Sequence, residues 1–210
     1  MSIQNTQLSQ LGAALKVIEN KCCVPEGYEF VGMRQVIQDA RPLALLRFQR
    51  SDGRNNFNGG EHFSTLVNID ENRLEGLLFI DHRFTVDIDI DDEQVRASGR
   101  QFLTIAAPDL LDRVEERWIK PMRRVPQEPP HDAPFEFTDA ISGKIMFVIG
   151  KRFKMFDPET KTWAWIIIAS DGTPIAFERD ISWDGVRKRR MTEQWLYDPW
   201  VERLLHNFSN

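Results

Sequence analysis

The chain is poor in cysteine, with only Cys22 and Cys23, side by side. Adjacent cysteines seldom offer the Cα separation of about 4.4–6.8 Å with convergent side chains that a disulfide needs. No disulfide framework is therefore read, and two small buried side chains are expected instead of a redox or soft-metal pair. No apolar run approaches the roughly 18 residues of a membrane span. The opening Met1-Ser2-Ile3-Gln4-Asn5 lacks a basic region leading into an apolar run. No signal peptide is expected, and the cytoplasm is the default location. Motifs are missing too: no G-x-S-x-G, no G-x-x-x-x-G-K-[ST], no G-x-G-x-x-G and no H-E-x-x-H. Nothing calls for a catalytic residue, a cofactor or a metal. Positive charge is in deficit, with 27 basic residues against 32 acidic and a net charge of −5. Such a balance favours solubility and disfavours a dedicated nucleic-acid binder, which draws on clustered Lys and Arg.

What is present is an ordinary globular composition, 41% hydrophobic and 28% charged over 210 residues, enough to bury a core. Leu8, Leu11, Leu15 and Ile18 recur at helical spacing, so 6–20 reads as a helix. Residues 28–38 and 43–50 read as strands, and 51–60 as a polar Gly/Asn loop. Alternation through Phe63, Thr65, Val67 and Ile69, a turn at 70–73 and a return over 74–80 read as a hairpin. Phe84, Val86, Ile88 and Ile90 extend the alternation. Asp91 with Gln94 makes a capping box for a helix carrying Val95, Phe102, Leu103 and Ala106. Pro108 opens a further short helix through Leu111, Val114 and Trp118. Five prolines between 120 and 135 mark an extended connector. Beyond it, 145–149 and 153–156 flank Gly150-Lys151 as a hairpin. The run 162–169 is apolar on both faces and should be central or meet a partner. A turn at 170–173 leads into 174–180, and Pro199 starts a last helix.

The element order is helix, strands, helices, strands, helix. The fold class expected is α+β: two successive helix-plus-antiparallel-meander units, 1–90 and 91–210, the proline connector lying within the second, or one compact domain. Asp91-Asp92-Glu93-Gln94-Val95 through Phe102-Leu103 to Ala106-Ala107-Pro108-Asp109 resembles the helix that opens a PepSY-type module. The hairpin from Trp163 to Ile168, Asp171-Gly172 and Ile175 to Phe177 resembles that module's strands, and Phe63 to Ile80 is similar. About half of the chain is covered. The resemblance implies a cystatin-like α+β fold and a binding or peptidase-restraining role outside the cytoplasm. It brings no catalytic residue with it.

Candidate residues each carry two readings. Asp87, Asp89 and Asp91 share one side of a strand, as a hard cation would want. Asp92 and Ser98, however, stand where a calcium loop needs Gly and Glu, so a solvated face with an N-cap is expected. Of His62, His82, His131 and His206, the first two could meet across strands beside an Asp, or all four could be scattered. Glu178, Asp180, Glu193 and Asp198 could supply an acid and a base, or serve as turns and caps. The basic run Arg187-Lys188-Arg189-Arg190 could grip an anion, or be a solvated loop paired to nearby acids. All six tryptophans lie from Trp118 onward. Trp163 and Trp165 share a strand face, and the stripe of Trp195, Leu196, Trp200, Val201, Leu204 and Leu205 is expected to close over it.

The sequence thus leaves function open. The leading expectation is a non-catalytic binding or regulatory protein acting through a sheet face or the Trp-rich C-terminal surface. Its candidate contacts are Trp183, Arg187, Lys188, Arg189, Arg190 and Trp200, and its partner a protein or a second copy, with no membrane and no nucleic acid. The alternatives are a small-molecule binder or enzyme with an apolar pocket between sheet and helices, and a nucleic-acid factor using the basic run.

Overall fold

The computed structural model describes residues 3–86, 89–122 and 135–207. The chain runs α1 (Ile3–Lys21), β1 (Tyr28–Gln38), β2 (Arg41–Arg50), β3 (His62–Asn68), β4 (Arg73–Ile80), a 3-10 turn (His82–Thr85), α2 (Asp92–Ala106), α3 (Pro108–Leu111) and β5 (Glu115–Pro121). It continues through β6 (Glu136–Thr138), β7 (Ile145–Phe147), β8 (Lys151–Asp157), β9 (Thr162–Ile168), β10 (Pro174–Ile181), β11 (Trp183–Asp184), β12 (Arg189–Arg190) and α4 (Asp198–Asn207). Eight strands form one antiparallel sheet in the order β1-β2-β3-β4-β10-β9-β8-β5. Each half is a helix followed by a four-stranded meander. The halves meet edge to edge through β4 and β10, where Leu78, Leu77 and Gly76 face Ala176, Phe177 and Glu178.

Both long helices lie on one face of this sheet, α1 over β3 and β4 and α2 over β8, β9 and β10. The capping box of α2 is formed: Asp91 accepts from the Gln94 backbone N–H at 2.7 Å, and the Gln94 side chain accepts from Asp91 N at 3.2 Å. Acidic Asp92 and Glu93 in the first turn suit the positive end of the helix. Its buried stripe is Val95, Gly99, Leu103 and Ala106. Gly99 has a steric reason, since a Cβ there would stand 2.7 Å from Phe153 Cδ1. Under α1, Tyr28, Phe63 and Phe84 ring Phe79 edge-on at 5.1–5.7 Å, a favoured aromatic geometry. Under α2, Phe102 meets Phe177 at 5.3 Å.

Side chains alternate across a strand, so Arg152, Lys154, Trp163, Trp165 and Glu178 point to the opposite face. The C-terminal segment crosses the sheet there. Leu196 settles over Gly76, where a Cβ would come within 2.8 Å of Leu196 Cδ1. Arg190 forks onto Glu178 at 2.7 and 3.0 Å, and the Tyr197 hydroxyl donates to the same carboxylate. The hairpin of β6 and β7 packs beside it, with Phe135 against Tyr197 at 5.5 Å.

Four sequence expectations are corrected. The helix from Pro108 ends at Leu111, and 115–121 is strand β5 although Leu111, Val114 and Trp118 keep the helical spacing, because the free edge of β8 pairs with it. Phe84 belongs to the 3-10 turn. Asp81 accepts from Arg83 N and turns the chain, sending Phe84 into the core. Residues 145–147 pair with 136–138 and not with 153–156, because both edges of β8 are already taken by β5 and β9. Last, the C-terminal stripe closes over the middle and first half of the sheet, held there by Arg47, and not over Trp163 and Trp165.

Candidate functional site

The face of β1–β3 not covered by α1, flanked by α4 and by the loop 51–61, forms an open cleft of about 520 Å³. That lies within the range of small-molecule sites. Period-2 alternation along β2 puts Leu45, Arg47 and Gln49 on its floor, and Ser64 of β3 stands opposite Arg47. The loop keeps its tight shape because Gly60 carries no side chain: a Cβ would lie 2.0 Å from the Asn55 carbonyl oxygen. Its tip supplies Phe57 and Asn58, and α4 supplies Val201, Glu202 and Leu205. Phe57 and Leu205 are large apolar side chains left in solvent at this rim.

The polar groups of the cleft are ordered by one carboxylate. Asp198 takes both prongs of Arg47 at 2.8 and 2.9 Å, and its Oδ2 also accepts from Gly59 N at 2.8 Å. One side chain thereby ties α4, the loop and the sheet together. Burial would raise the Asp198 carboxyl, but His62, Arg47 and the Gly59 N–H together hold it below the usual carboxylate range. Behind this pair lies His62, 3% exposed. Its Nδ1–H donates to the Gly60 carbonyl at 2.9 Å, which fixes the tautomer and leaves Nε2 as an acceptor with no partner. Burial first, and then the Arg47 charge, push its pKa down to about 4, so the ring is neutral at pH 7.

At the mouth of the cleft, Arg34 lies over the Trp195 ring at 5.9 Å. Trp195 is anchored by its indole N–H to the Ile37 carbonyl at 2.8 Å and by an edge-on contact with Trp200 at 5.0 Å. Partial desolvation lowers the Arg34 pKa, with Asp198 pushing back and Arg47 adding to the fall. Among the described residues no carboxylate lies within salt-bridge distance of Arg34. Every other arginine of the cleft region is paired.

The residues singled out by sequence fall in four places. Trp200 buttresses Trp195 at the cleft. Arg190 faces inward, its side chain 5% exposed, and spends its remaining donors on the carbonyls of Thr192 and Glu193. Arg187, Lys188 and Arg189 ride the exposed hairpin of β11 and β12, where Arg187 stands 3.8 Å from Asp184. Trp183 is 38% exposed and belongs to a cluster on the outer strands. There the Lys154 ammonium lies 4.3, 5.3 and 5.9 Å from the rings of Trp163, Trp118 and Trp183. The basic run is therefore split between an internal ion pair and an open turn.

Other candidates resolve into pairs. Glu178 meets Arg190, Asp180 meets Arg73 at 2.7 Å, and Glu193 accepts from Asp39 N at 2.9 Å. None is a free acid or base. His82 does meet carboxylates, with Nδ1 3.0 Å from Glu61 and 3.2 Å from Asp81. These three could hold a cation, but Arg50 stands 3.5 Å from Asp81 and 3.8 Å from Glu61 and already supplies the counter-charge. Asp89 is exposed and near Lys151, Asp91 caps α2, and Asp87 and His131 lie outside the described residues. Cys22 and Cys23 are free thiols, but only Cys22 turns inward and Cys23 is exposed, against the expectation of two buried side chains; burial pushes Cys22 up to about 12, too high for a reactive thiolate.

Arg34 and Arg47 were not singled out from the sequence, and His62 was weighed only as a partner of His82, whereas the two rings bond separately to the Gly60 carbonyl and to Glu61. The signal available was the face Leu43, Leu45, Arg47, Gln49, on which polar side chains interrupt an otherwise apolar row. No protein-family model matches the chain, and no curated protein and no solved structure matches it either. No helix among the described residues is long and apolar enough to cross a membrane.

Proposed function

We propose that this is a non-catalytic binding protein that takes a small ligand into the cleft between its sheet face and α4. The observation that carries this reading is Arg34, an unpaired guanidinium held on a fixed indole at the mouth of a 520 Å³ cleft with an apolar rim. Arg73, Arg113, Arg179 and Arg190 are each met by a carboxylate, so an arginine left open in a concave site favours a ligand. Catalysis is not assigned, because no hydrogen bond among the described residues joins His62 to Asp198 or to Ser64. A nucleophile–base chain needs such contacts. A non-catalytic role is also what the resemblance to PepSY-type modules implies. Given its acidic balance, the reading takes the protein as no nucleic-acid binder.

The test is binding of the neutral, environment-sensitive dye Nile red to the full chain. Blue-shifted emission is expected with the parent, and Gln49→Trp, which fills the floor, should abolish it while the melting temperature is retained. No emission from the parent, or emission unaffected by the filled floor, overturns the cleft. A second reading has its own observation, the three tryptophans around Lys154 on the outer strands. Such aromatic clusters mark protein-binding hot spots. If emission is lost in Trp118→Ala and kept in Gln49→Trp, that outer face is the binding surface.

A further inference from the structure

We infer that the cleft is built for an amphipathic monoanion, a single carboxylate head on an apolar body, with the head seated on Arg34 beside Trp195. The inference rests on the cleft being the binding site and adds the chemistry of the ligand.

The argument is one of charge and shape. Arg47 has its charge already met, because both prongs of its fork are engaged by Asp198 at 2.8 and 2.9 Å. Arg34 is open to a ligand, since among the described residues it lies over the Trp195 ring and meets no carboxylate. A guanidinium presents a flat two-pronged donor that matches a carboxylate. Its flexible stem would normally blur that preference. Here the indole beneath it is pinned by the Ile37 carbonyl and by Trp200, which narrows where the guanidinium can stand.

The number of charges selects against a dianion. Two arginines line the cleft together with Asp198 and Glu202. Glu202 accepts a hydrogen bond from the neutral Asn58 side chain and not from a cation. With Arg47 and Asp198 neutralising each other, one open cation, Arg34, and one open carboxylate, Glu202, remain, and the second charge of a dianion would meet Glu202 with no cation to match it. A cationic head would meet Arg34 directly. A neutral head would leave the guanidinium desolvated and unpaired, a costly arrangement for a charge. The rest of the wall is apolar: Leu45 on the floor, Val201 and Leu205 on α4, Phe57 on the loop. Leu205 is 58% and Phe57 39% exposed, so both have surface left for a ligand body to cover.

Four probes with one tail and different heads decide the matter: decanoate, decanol, decyltrimethylammonium and decyl phosphate, each below its micelle concentration, displacing Nile red from the full chain at neutral pH. Decanoate is expected to displace the dye at a concentration about tenfold or more below decanol, the scale of one charge-assisted hydrogen-bonded pair. Decyl phosphate should be weaker than decanoate, and the ammonium weakest. Arg34→Gln should remove the difference, so that decanoate and decanol displace the dye at the same concentration. Arg34→Lys, which keeps the charge without the fork, should retain part of the preference. Arg34 is exposed, so both variants are expected to melt like the parent. Equal displacement by decanoate and decanol, a preference that survives Arg34→Gln, or a stronger decyl phosphate overturns the inference while leaving the cleft in place. If the dye never binds, the cleft reading itself fails, and this inference with it.

Discussion

At the scale of single residues, His62 couples the cleft to pH. Its pKa is about 4 in the fold against an ordinary 6.5, because the imidazolium would be buried beside Arg47. Between these two values the unfolded chain binds the proton and the folded one does not. Stability therefore falls as pH drops from 6.5 to 4 and is unaffected by this group above 6.5. The scale is about 3 kcal/mol. Asp198, a carboxyl held below its usual range, adds a loss in the same direction at lower pH. Denaturant midpoints across this window should slope in the parent and flatten in His62→Gln. Parallel slopes in the two proteins would show that His62 is not the titrating group. Only the residue type was legible beforehand. A histidine on a strand is silent about its neighbours, and Arg47 and Asp198 lie 15 and 136 positions away.

At the scale of elements, the feature that organises the second face is the C-terminal strap from Arg190 to α4. Its central fastening is the buried Glu178–Arg190 fork with the Tyr197 hydroxyl. Breaking a buried pair from one side strands the other charge, so Arg190→Ala should cost about 3–5 kcal/mol. The double variant Arg190→Met, Glu178→Leu should recover much of that loss, since an apolar pair avoids the desolvation penalty. Urea unfolding of the single and double variants measures this. A single variant as stable as the parent would mean that the strap is not fastened there. Sequence made Arg190 one of four adjacent bases. What distinguishes it from Arg187 is the short β11–β12 hairpin, which turns Arg190 back toward β10 and leaves Arg187 at the tip.

At the scale of the whole molecule, the two meanders share one sheet and one continuous apolar core. Leu77 and Phe177, neighbours across the joint, are 2% and 0% exposed. The strap, which belongs to the second half in sequence, binds the first half through Arg47, Ile37 and Asp39. A single cooperative transition is expected. Thermal unfolding followed by tryptophan fluorescence, whose reporters all lie from Trp118 onward, should coincide with that followed by far-ultraviolet circular dichroism. A dichroism step without a fluorescence change would mean that the first meander melts alone.

Some of this architecture is written locally. The capping box at Asp91, the alternation that makes the hairpin of β3 and β4, and the doubly apolar run of β9, which lies between β10 and β8, follow from nearest neighbours and period. Such signals depend on a few adjacent side chains, so they survive in any context. Whether 115–121 is helix or strand, which partner 145–147 takes, and where the closing stripe lies down depend on which edges and faces remain open once the rest has folded. Those choices are made by distant groups: the free edge of β8, the absent side chain of Gly76, the fork of Arg47 on Asp198. The cleft is of the second kind. Its floor, flanks and mouth come from residues near 34, 47, 58 and 198, and only the tertiary fold brings their charges close enough to pair and leaves Arg34 over.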